Sequence, residues 1–535
     1  MTLNNEKVCV SIPNNGKGIG ADLTRNISTL HKIKDADFDI FVILESELSK
    51  LSDSGLDSEV LESVSLSPCY MTSSGEEVFS TPYLNVRLKT EQDISILSSY
   101  AELYGLKIVK KVSLMPLWYI LSVSPSAGGN AVDIANSLWE SGKFAAALPD
   151  LCSVGDLCSN DPLFGLQWGL CNGDFPDMDI SASPAWEYAT GKGVRIAILD
   201  SGVDMSHIDL AANISNLSYN TETGTSPSAS NGEHATHCAG IAAAIKDNGI
   251  QIAGVAPEAE IISISSSFDS TTNSRIKRAE GIVWAYQHGA DIISNSWSSS
   301  SPHAAIDEAI YDAFRYGRHG KGCVVVFASG NDTTNINLVK YPANCNDTIL
   351  AVGAIKNDGS RADFSHYGAA LDIVAPGVNV LSTLPHNKTG YNDGTSMACP
   401  HVAGVAALIL ERNSELTATQ VNSIINGNAK KIEGVDFDVT KSDGTWNEEY
   451  GYGLVDAYSA VINTPGTVYI QDETITGSRV ISAADKVYVG RDVTNDKPYG
   501  NVRFGPGQIT IKAKSVTVKN STTVPLGTTL TIVNQ

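Results

Sequence analysis

The sequence contains no apolar run of about 18 residues or more, so it predicts no transmembrane helix. Basic residues are few: 37 lysines and arginines stand against 59 aspartates and glutamates, for a formal net charge of −22. That deficit disfavours nucleic acids and anionic membranes as partners. The first residues, MTLNNEKVCVSIPNN, lack the basic-then-apolar layout of a signal peptide. Two alternatives stay open: the protein is not exported, or its export signal is missing from this sequence.

Paired cysteine motifs with the spacing of zinc sites are also absent. The nine cysteines are scattered, and their odd number leaves at least one thiol that cannot pair within the chain. Hydrophobic residues make up 42% and charged residues 18%, a balance typical of globular rather than disordered proteins. A chain of 535 residues is too long for one ordinary core, so we predict two to four domains.

Four segments of the chain differ in their patterns. Residues 1–82 combine short strand-like runs with turns and form a β-rich segment. Residues 83–151 follow the order strand, helix, strand, strand, helix, strand, which is typical of a small two-layer α+β domain. Residues 152–463 begin with a linker and then alternate apolar strands with helices, which predicts an α/β doubly wound parallel sheet. Residues 464–535 consist of short alternating runs of Thr, Val and Ile, separated by turns that contain Gly and Asn. This pattern predicts a small all-β module.

Polar residues of complementary chemistry lie at the ends of elements in the third segment. The strand VRIAILD ends in Asp200, a polar turn holds His234 before a small-residue helix, and a Gly-Thr-Ser turn opens an apolar helix at Ser396. A serine hydroxyl becomes a nucleophile when a histidine accepts its proton and an aspartate orients that histidine. Asn331 follows the strand CVVVFASG, and its amide can donate to an oxyanion. The set predicts nucleophilic acyl transfer.

The same stretches resemble motifs of the subtilisin-like serine proteases and occur in that family's order. They are ILDSGVD, HATHCAG, ASGND and GTSMACPHVAG, and the resemblance extends over roughly residues 160–463. It implies a serine endopeptidase with the family's doubly wound parallel sheet, in which Ser396 attacks and His234 is the base. Asp200 is then the orienting acid and Asn331 the oxyanion donor.

Two features of the histidine motif need separate interpretation. His237 falls on the family's second, non-catalytic histidine; the alternative is that His234 and His237 bind zinc, but no acidic third ligand has motif spacing. The family usually has glycine directly after the base, whereas this chain has Ala235. Because alanine is small, we expect activity to survive. A scaffold that keeps the fold without catalysis is the alternative for the whole set.

The resemblance also implies a structural calcium ion. The family binds it through an aspartate after the first motif and a loop before the GVAP segment, and some members add a ligand nearer the N-terminus. Oxygen ligands in a loop suit Ca²⁺, whereas the alternative is a solvated acidic loop. The corresponding ligands here are Asp161, Asp209, the side chain of Asn248, and the backbone carbonyls of Lys246, Ile250 and Ile252.

Substrate specificity is predicted from two further segments. In SNSWSS the backbone of Ser296 and Ser298 is expected to pair with extended substrate, and Trp297 either lines the pocket or is core. The family resemblance puts Lys340 at or near the floor of the pocket for the side chain that precedes the cut. A poorly solvated lysine would favour Asp or Glu there. Alternatively Lys340 pairs with Asp332 or reaches water, and the pocket takes apolar residues.

Residues 83–151 resemble the family's inhibitory propeptide, which implies a zymogen with its own prodomain as intramolecular inhibitor. The remaining expected partners are protein or peptide substrates, and we expect a monomer that is secreted or associated with the cell envelope. Two hypotheses compete with a broad endopeptidase. One is a non-catalytic binding protein that stays occupied by its prodomain, and the other is a maturation protease that cuts one partner. Surface binding, stabilisation and anchoring all stay open for the β module.

Overall fold

The chain forms two compact units, Met1–Leu166 and Gln167–Gln535. The computed structural model describes residues 2–13, 29–34, 38–44, 64–71, 77–112, 115–124, 127, 129–153, 159–175, 177–230, 232–268, 272–299, 301–332, 337–519 and 521–534. Across those residues, every helix is too short or too polar to cross a membrane.

In its described residues, the first unit contains one antiparallel sheet of eight strands and two α-helices. The strands are β1 (Thr2–Pro13), β2 (Thr29–Lys34), β3 (Phe38–Leu44), β4 (Ser65–Met71), β5 (Glu77–Arg87), β6 (Leu106–Lys111), β7 (Trp118–Val123) and β8 (Ala146–Ser153). The helices are α1 (Ile94–Tyr104) and α2 (Ala131–Glu140), with 3₁₀ turns at Glu91–Asp93 and Phe164–Leu166. The strand order is β2-β3-β1-β4-β5-β7-β6, and β8 pairs with the other side of β5.

The α+β part of this unit has the element order that the sequence predicts. Residues 83–87 of β5 alternate buried with more exposed side chains, and Leu84 of this strand and Leu121 of β7 are buried in a core that Ile134 and Leu138 of α2 complete. The helix α2 begins at the Asn130 cap, whose side chain accepts from two backbone N–H groups. The sequence therefore carries both the pattern and the start signal of these elements.

Strand β5 crosses the boundary predicted between residues 82 and 83. Its first residues pair with β4 and β8, whereas Leu84–Arg87 pair with β7 and β8. The β-rich segment and the α+β segment therefore share one sheet. The alternating pattern YLNVRLK reveals only the second half of this strand, because the first half lies among turn-forming residues.

The second unit is centred on a parallel sheet of seven strands. These are β9 (Arg195–Asp200), β10 (Ile214–Asn220), β11 (Glu260–Ser265), β12 (Ile292–Asn295), β13 (Val324–Ala328), β14 (Ile349–Ile355) and β15 (Ile373–Pro376). Two hairpins are β16 (Val380–Leu384) with β17 (Lys388–Asn392), and β18 (Val439–Lys441) with β19 (Gly444–Trp446). The helices are α3 (Ala182–Ala185), α4 (His234–Ala243), α5 (Ser274–Gln287), α6 (Ala304–Gly320), α7 (Thr395–Arg412), α8 (Ala418–Gly427) and α9 (Ala457–Ile462), with a 3₁₀ turn at Ala211–Asn213.

The strand order β10-β11-β9-β12-β13-β14-β15 confirms the doubly wound sheet. The chain moves from β9 to one side of the sheet and then returns to lay β12 on the other side. Parallel strands end at the same edge, so the residues that follow β9, β12 and β13 are neighbours. Asp200, Ser296 and Asn331 come from these three strand ends, at the point where such sheets hold their ligands.

Helix α7 is the central helix of this unit. From Thr395 to Leu410 every residue is buried, which explains why its sequence is apolar all round rather than striped. It packs on α4 and on strands β12–β15. A side chain at Gly404 would lie 2.5 Å from Cβ of Val255, so glycine is required for this close approach.

The C-terminal module is a short parallel β-solenoid. Its strands are β20 (Thr467–Ile470), β21 (Thr474–Ile475), β22 (Arg479–Ser482), β23 (Lys486–Val489), β24 (Val502–Phe504), β25 (Gly507–Ala513), β26 (Ser515–Val518), β27 (Thr522–Thr523) and β28 (Thr528–Asn534). Successive strands join three parallel sheets in turn, β20-β23-β26, β21-β24-β27 and β22-β25-β28. Inward Val, Ile and Phe side chains form its own core. The prediction of an all-β module is confirmed. The parallel pairing of its strands is not part of that prediction.

Candidate active site

Asp200 and His234 form a carboxylate–imidazole pair. Asp200 ends β9 and is buried, and its two carboxylate oxygens lie 2.8 and 2.9 Å from Nδ1 of His234. Because a carboxylate accepts, Nδ1 carries the proton and Nε2 is left with a lone pair in the neutral ring. The charge of the Asp200 carboxylate raises the pKa of His234 above its usual range. This arrangement fixes both the tautomer and the direction of the ring.

Ser396 is the second residue of α7 and is buried. Its hydroxyl donates to the backbone carbonyl of Ser296 at 3.2 Å, and the Ser296 hydroxyl donates to the Ser396 carbonyl at 2.8 Å. Among the described residues, the structure contains no hydrogen bond between Ser396 Oγ and His234. The two side chains nevertheless belong to neighbouring helices, because α7 packs on α4 and Cys238 of α4 donates to the Ser396 carbonyl at 3.4 Å.

Asn331 follows β13, and Thr395 holds its amide in one orientation. Its Oδ1 accepts from the backbone N–H and from the hydroxyl of Thr395, both at 2.7 Å. Because Oδ1 is used in this way, Nδ2 is the free donor. A Cβ atom built on Gly394 would lie 3.4 Å from Asn331 Nδ2 and 3.5 Å from the backbone nitrogen of Ser396. The Asn331 amide nitrogen and the Ser396 backbone nitrogen therefore both lie close to Gly394, beside the serine, and the oxyanion role of Asn331 stays a prediction.

His237 is buried and separate from this pair. Its Nε2 lies 3.1 Å from the carbonyl of Gly390, and burial lowers its pKa to about 4, so the ring is neutral. The group of potential metal ligands found among the described residues comprises Asp200, His234 and Cys238, without His237. The zinc alternative required His234 and His237 together, and His237 Nε2 is occupied by the backbone.

The sequence itself matches known proteins across this unit. Residues 191–453 match the subtilase family, Peptidase_S8. The chain is 35% identical to thermitase of Thermoactinomyces vulgaris over 302 residues, which are 56% of this chain and 98% of that protein. It is 40% identical to subtilisin DY of Bacillus licheniformis over 251 residues, 45% of this chain and 85% of that protein. The chain belongs to the subtilase family. It is a subtilisin-like serine endopeptidase.

Two further proteases are similar to this chain. A protein called calcium-dependent protease, from a Nostoc strain, is 29% identical over 445 residues, 72% of this chain and 64% of that protein. A solved protease structure from Pseudoalteromonas arctica has 30% identity and covers 57% of this chain and 99% of that chain, with a TM-score of 0.47. Subtilase similarity thus extends from the catalytic unit into flanking sequence.

The predicted substrate strand of this subtilase follows β12. Ser296 and Trp297 are buried, and Trp297 packs edge-on against Phe327 of β13 with ring centroids 5.0 Å apart. The Arg278 guanidinium lies 4.9 Å from the centroid of the Trp297 indole ring. Trp297 is thus largely a packing residue in this structure, and a contact with substrate stays a prediction, as does pairing through Ser298.

Lys340 lies beside the loop that carries the oxyanion donor. Its backbone N–H donates to the Ser329 carbonyl at 2.8 Å, and its side-chain carbons lie against Gly330. Its ammonium group pairs with Asp332, the alternative that the sequence leaves open. That hydrogen bond, more than any other cause, lowers the pKa of Asp332. This ion pair lies next to Asn331. A specificity role for Lys340 stays a prediction, and a substrate carboxylate would have to compete with Asp332 for the Lys340 ammonium group.

The predicted calcium loop is built around a buried carboxylate. Asp209 accepts from Asn248 Nδ2 at 2.7 Å and from the backbone N–H of Ile252 at 3.0 Å, and Asn248 Oδ1 accepts from the N–H of Ile250 at 2.7 Å. The buried carboxylate of Asp209 and the side-chain amide oxygen of Asn248 are ligand types that suit Ca²⁺, and both belong to one loop contact. Their part in an ion site stays a prediction.

Two other predicted ligands of this ion have different surroundings. Lys246 offers its carbonyl while its ammonium group pairs with Asp247. Asp161 belongs to the first unit, where it is buried and accepts from the Ser159 hydroxyl. Its part in the ion site stays a prediction.

Two residues of the site escape sequence reasoning. Thr395 fixes the Asn331 amide, and the Gly-Thr-Ser turn gives a signal for it because threonine hydroxyls bind nearby polar groups. His366 is buried beside Asp332, with its Nε2 3.8 Å from the nearer carboxylate oxygen. The segment RADFSHYG gives no signal for His366, because its contact with Asp332 arises only when two distant loops meet.

Proposed function

We propose that this subtilase cleaves peptide bonds with Ser396 as nucleophile, His234 as base and Asp200 as orienting acid. The observation that supports it most is the Asp200–His234 pair, which leaves Nε2 of His234 as the one proton acceptor of the ring. The position of Ser396 at the start of α7, beside the donors of Asn331 and its own backbone, supports the same assignment.

The reaction then follows from these groups. The Ser396 hydroxyl turns from the Ser296 carbonyl to His234, and its oxygen bonds to the carbonyl carbon of the substrate while Nε2 takes the proton. The carbonyl oxygen becomes an oxyanion that Asn331 Nδ2 and the Ser396 N–H stabilise. The C–N bond breaks as His234 gives its proton to the leaving amine. Water then hydrolyses the acyl-enzyme with His234 again as base.

We further propose that the enzyme is a zymogen inhibited by residues 83–151. The element order β5-α1-β6-β7-α2-β8 and the hydrophobic core between these elements support the likeness to a propeptide, although strand β5 also pairs with β4 of the preceding segment. Asp150, near the expected first cut, lies in β8, and its carboxylate accepts from the Thr81 hydroxyl at 2.7 Å. Cleavage there requires β8 to leave β5. Secretion or attachment to the cell envelope, and a monomeric state, belong to the same proposal.

Self-processing tests the nucleophile directly. Wild-type protein is expected to convert from full length to a shorter form with a new N-terminus near Asp150, as measured by intact mass and N-terminal sequencing. Ser396→Ala is expected to stay at full length, because no acyl-enzyme can form. Cys399→Ala, a buried cysteine on the same helix, is the matched control and is expected to process. Processing of Ser396→Ala in the purified protein would refute the assignment.

A bound calcium ion is the proposed structural cofactor. The side chains of Asp209 and Asn248, with carbonyls of the loop, would hold it, and Ca²⁺ would supply charge that lets the buried carboxylate stay ionised. The name of the Nostoc relative, calcium-dependent protease, supports this proposal. Its role here is structural, and it takes no part in the chemical steps.

We propose a preference for Asp or Glu before the cut, carried by Lys340. Its position along Gly330, next to Asn331, supports a place beside the scissile bond. The substrate carboxylate has to replace Asp332 as its partner. Peptides that differ only at that position, tested with wild type and Lys340→Gly, decide the point: the variant is expected to lose the acidic preference. Wild type that prefers Leu or Phe, or a variant with unchanged preference, would refute it.

A further inference from the structure

The turn that contains His366 packs directly on the loop of the oxyanion donor. Asn331 and Ser365 form an antiparallel bridge, and the Asp332 N–H donates to the Phe364 carbonyl at 3.1 Å. The His366 N–H donates to the Gly330 carbonyl at 3.1 Å, while the Ser329 hydroxyl donates to the His366 carbonyl at 2.9 Å. The backbone of His366 is therefore fixed relative to residues 329–332.

The imidazole of His366 is buried and has one ring nitrogen without a hydrogen bond. Its side chain is 2% exposed, and Nδ1 lies 2.7 Å from the Leu338 carbonyl. A carbonyl only accepts, so Nδ1 carries the proton of the neutral ring. Nε2 finds no hydrogen-bond partner among the described residues. An added proton therefore goes to Nε2, which faces Asp332 at 3.8 Å.

Asp332 is shared between this histidine and Lys340. The same carboxylate oxygen that lies 3.8 Å from His366 Nε2 accepts from the Lys340 ammonium group. On the other side of the turn, Arg361 donates to the Ser365 carbonyl at 2.9 Å and pairs with Glu449. These contacts link the turn to four charged side chains, those of Asp332, Lys340, Arg361 and Glu449.

We propose that His366 is a specificity-determining residue that competes with Lys340 for Asp332. Its protonated Nε2 pairs with the Asp332 carboxylate and so makes the Lys340 ammonium available to an acidic substrate side chain. The inference rests on the proposed function of Lys340 and adds a second residue that controls it. Asp332 is then the common acceptor, and His366 needs no contact with substrate.

The direction of the pH effect follows from the charges. An aspartate side chain of the substrate has an ordinary pKa of about 3.9 and stays ionised over the pH range of the test. While His366 is neutral, Lys340 is the cation that pairs with Asp332. Once His366 carries a second proton, two cations share one carboxylate, and the exchange of Lys340 to a substrate carboxylate costs less. Preference for Asp over Leu therefore increases as the pH falls.

A ratio of two substrates isolates this effect from the catalytic histidine. Protonation of His234 lowers kcat/KM for both peptides equally, so it cancels in the ratio for matched Asp and Leu peptides. For wild type we expect that ratio to rise about fivefold from pH 8.5 to pH 5.5, the size of one partly exposed ion pair. His366→Asn keeps an amide donor for the Leu338 carbonyl but lacks Nε2, and its ratio is expected to be flat.

Asp332→Asn is a second, independent test variant, and its side chain is 44% exposed. It frees Lys340 at every pH, so its ratio is expected to be high and flat, and it keeps the result decisive if His366→Asn fails to fold. A flat ratio in wild type, or a rise that persists in either variant, overturns the role of His366. Hydrolysis of neither peptide by wild type overturns the proposed function instead.

Discussion

At the scale of single residues, Asp200 controls the protonation of the proposed base. A raised pKa means that His234 stays protonated to a higher pH than an ordinary histidine, and the imidazolium cannot accept the serine proton. We therefore expect kcat/KM to fall with decreasing pH through an apparent pKa above about 6.5.

Asp200→Asn is expected to lower that apparent pKa and to reduce kcat about 10⁴-fold, because the wrong tautomer is then stabilised. The measurement is a pH profile of kcat/KM for one neutral peptide with both proteins. If kcat/KM falls at the same acidic pH in the wild type and in Asp200→Asn, the role of Asp200 is contradicted.

Met397, directly after Ser396, predicts sensitivity to peroxide. The side chain is 1% exposed, and its sulfur would lie 3.6 Å from a Cβ atom built on Gly394, close to the oxyanion donors. Oxidation to the sulfoxide adds a polar oxygen to this crowded point. We expect peroxide to reduce kcat at least about tenfold in wild type and to leave Met397→Leu nearly unchanged. Mass spectrometry must show oxidised Met397, and full activity of such protein would refute the prediction.

The sequence predicts the chemistry of single residues where a motif carries it, and not elsewhere. Asp200, His234, Asn331 and Ser396 stand in short stretches whose order carries the information. The contact between His366 and Asp332 depends on the bridge between two loops more than 30 residues apart in the chain, and no local pattern encodes such a bridge.

At the scale of elements, continuous apolar runs such as DIISNSW predicted buried parallel strands correctly, because strands covered on both faces need no polar alternation. The solenoid shows the limit of this reasoning. Its short Thr and Val alternations indicate strands, but parallel pairing joins strands that are a full coil apart, such as β22 and β25. A local pattern shows which face of a strand is exposed, but it does not identify the strand that pairs with it.

The proposed calcium loop is the element for which we expect the clearest dependence on a ligand. A ligand that binds only the folded state stabilises it by about 2.7 kcal/mol at a hundredfold excess over Kd, so chelation is expected to lower Tm by several degrees. Asp209→Asn is expected to abolish the difference between Tm with Ca²⁺ and with chelator. Asp247→Asn, in the same loop, is the control and should keep it. Metal analysis that finds no calcium in wild type would contradict the prediction.

At the scale of the whole molecule, Glu415 joins the solenoid to the catalytic part of its unit. Its carboxylate lies 2.8 Å from Lys321 and 2.6 Å from Arg479 at the solenoid, and its side chain is 12% exposed. Burial raises the pKa of Glu415, but the two cations outweigh it and lower the pKa overall. A lowered pKa stabilises the fold above the unfolded value of about 4.3, and that stabilisation is lost as the pH falls through the folded value.

Glu415→Gln is expected to cost about 3 kcal/mol of unfolding free energy, because it leaves the partly buried Lys321 without its carboxylate and Arg479 with Glu473 alone. Calorimetry near neutral pH measures this, and the loss should shrink toward pH 3. Glu473→Gln, 3.5 Å from the same Arg479 but more exposed, is the matched control and should cost less than about 1 kcal/mol. Equal effects of the two substitutions would contradict the account of this junction.

Labelling by a fluorophosphonate tests the central claim most directly. The reagent reacts with a serine only when a base takes its proton and donors stabilise the charge on phosphorus oxygen, so it requires the whole arrangement around Ser396. The measurement is intact mass and peptide mapping of processed wild type and of Ser396→Ala after treatment. We expect one adduct per wild-type chain, on Ser396, and none on the variant. An unlabelled wild type, or an adduct on another serine, would contradict the proposed catalytic role of Ser396.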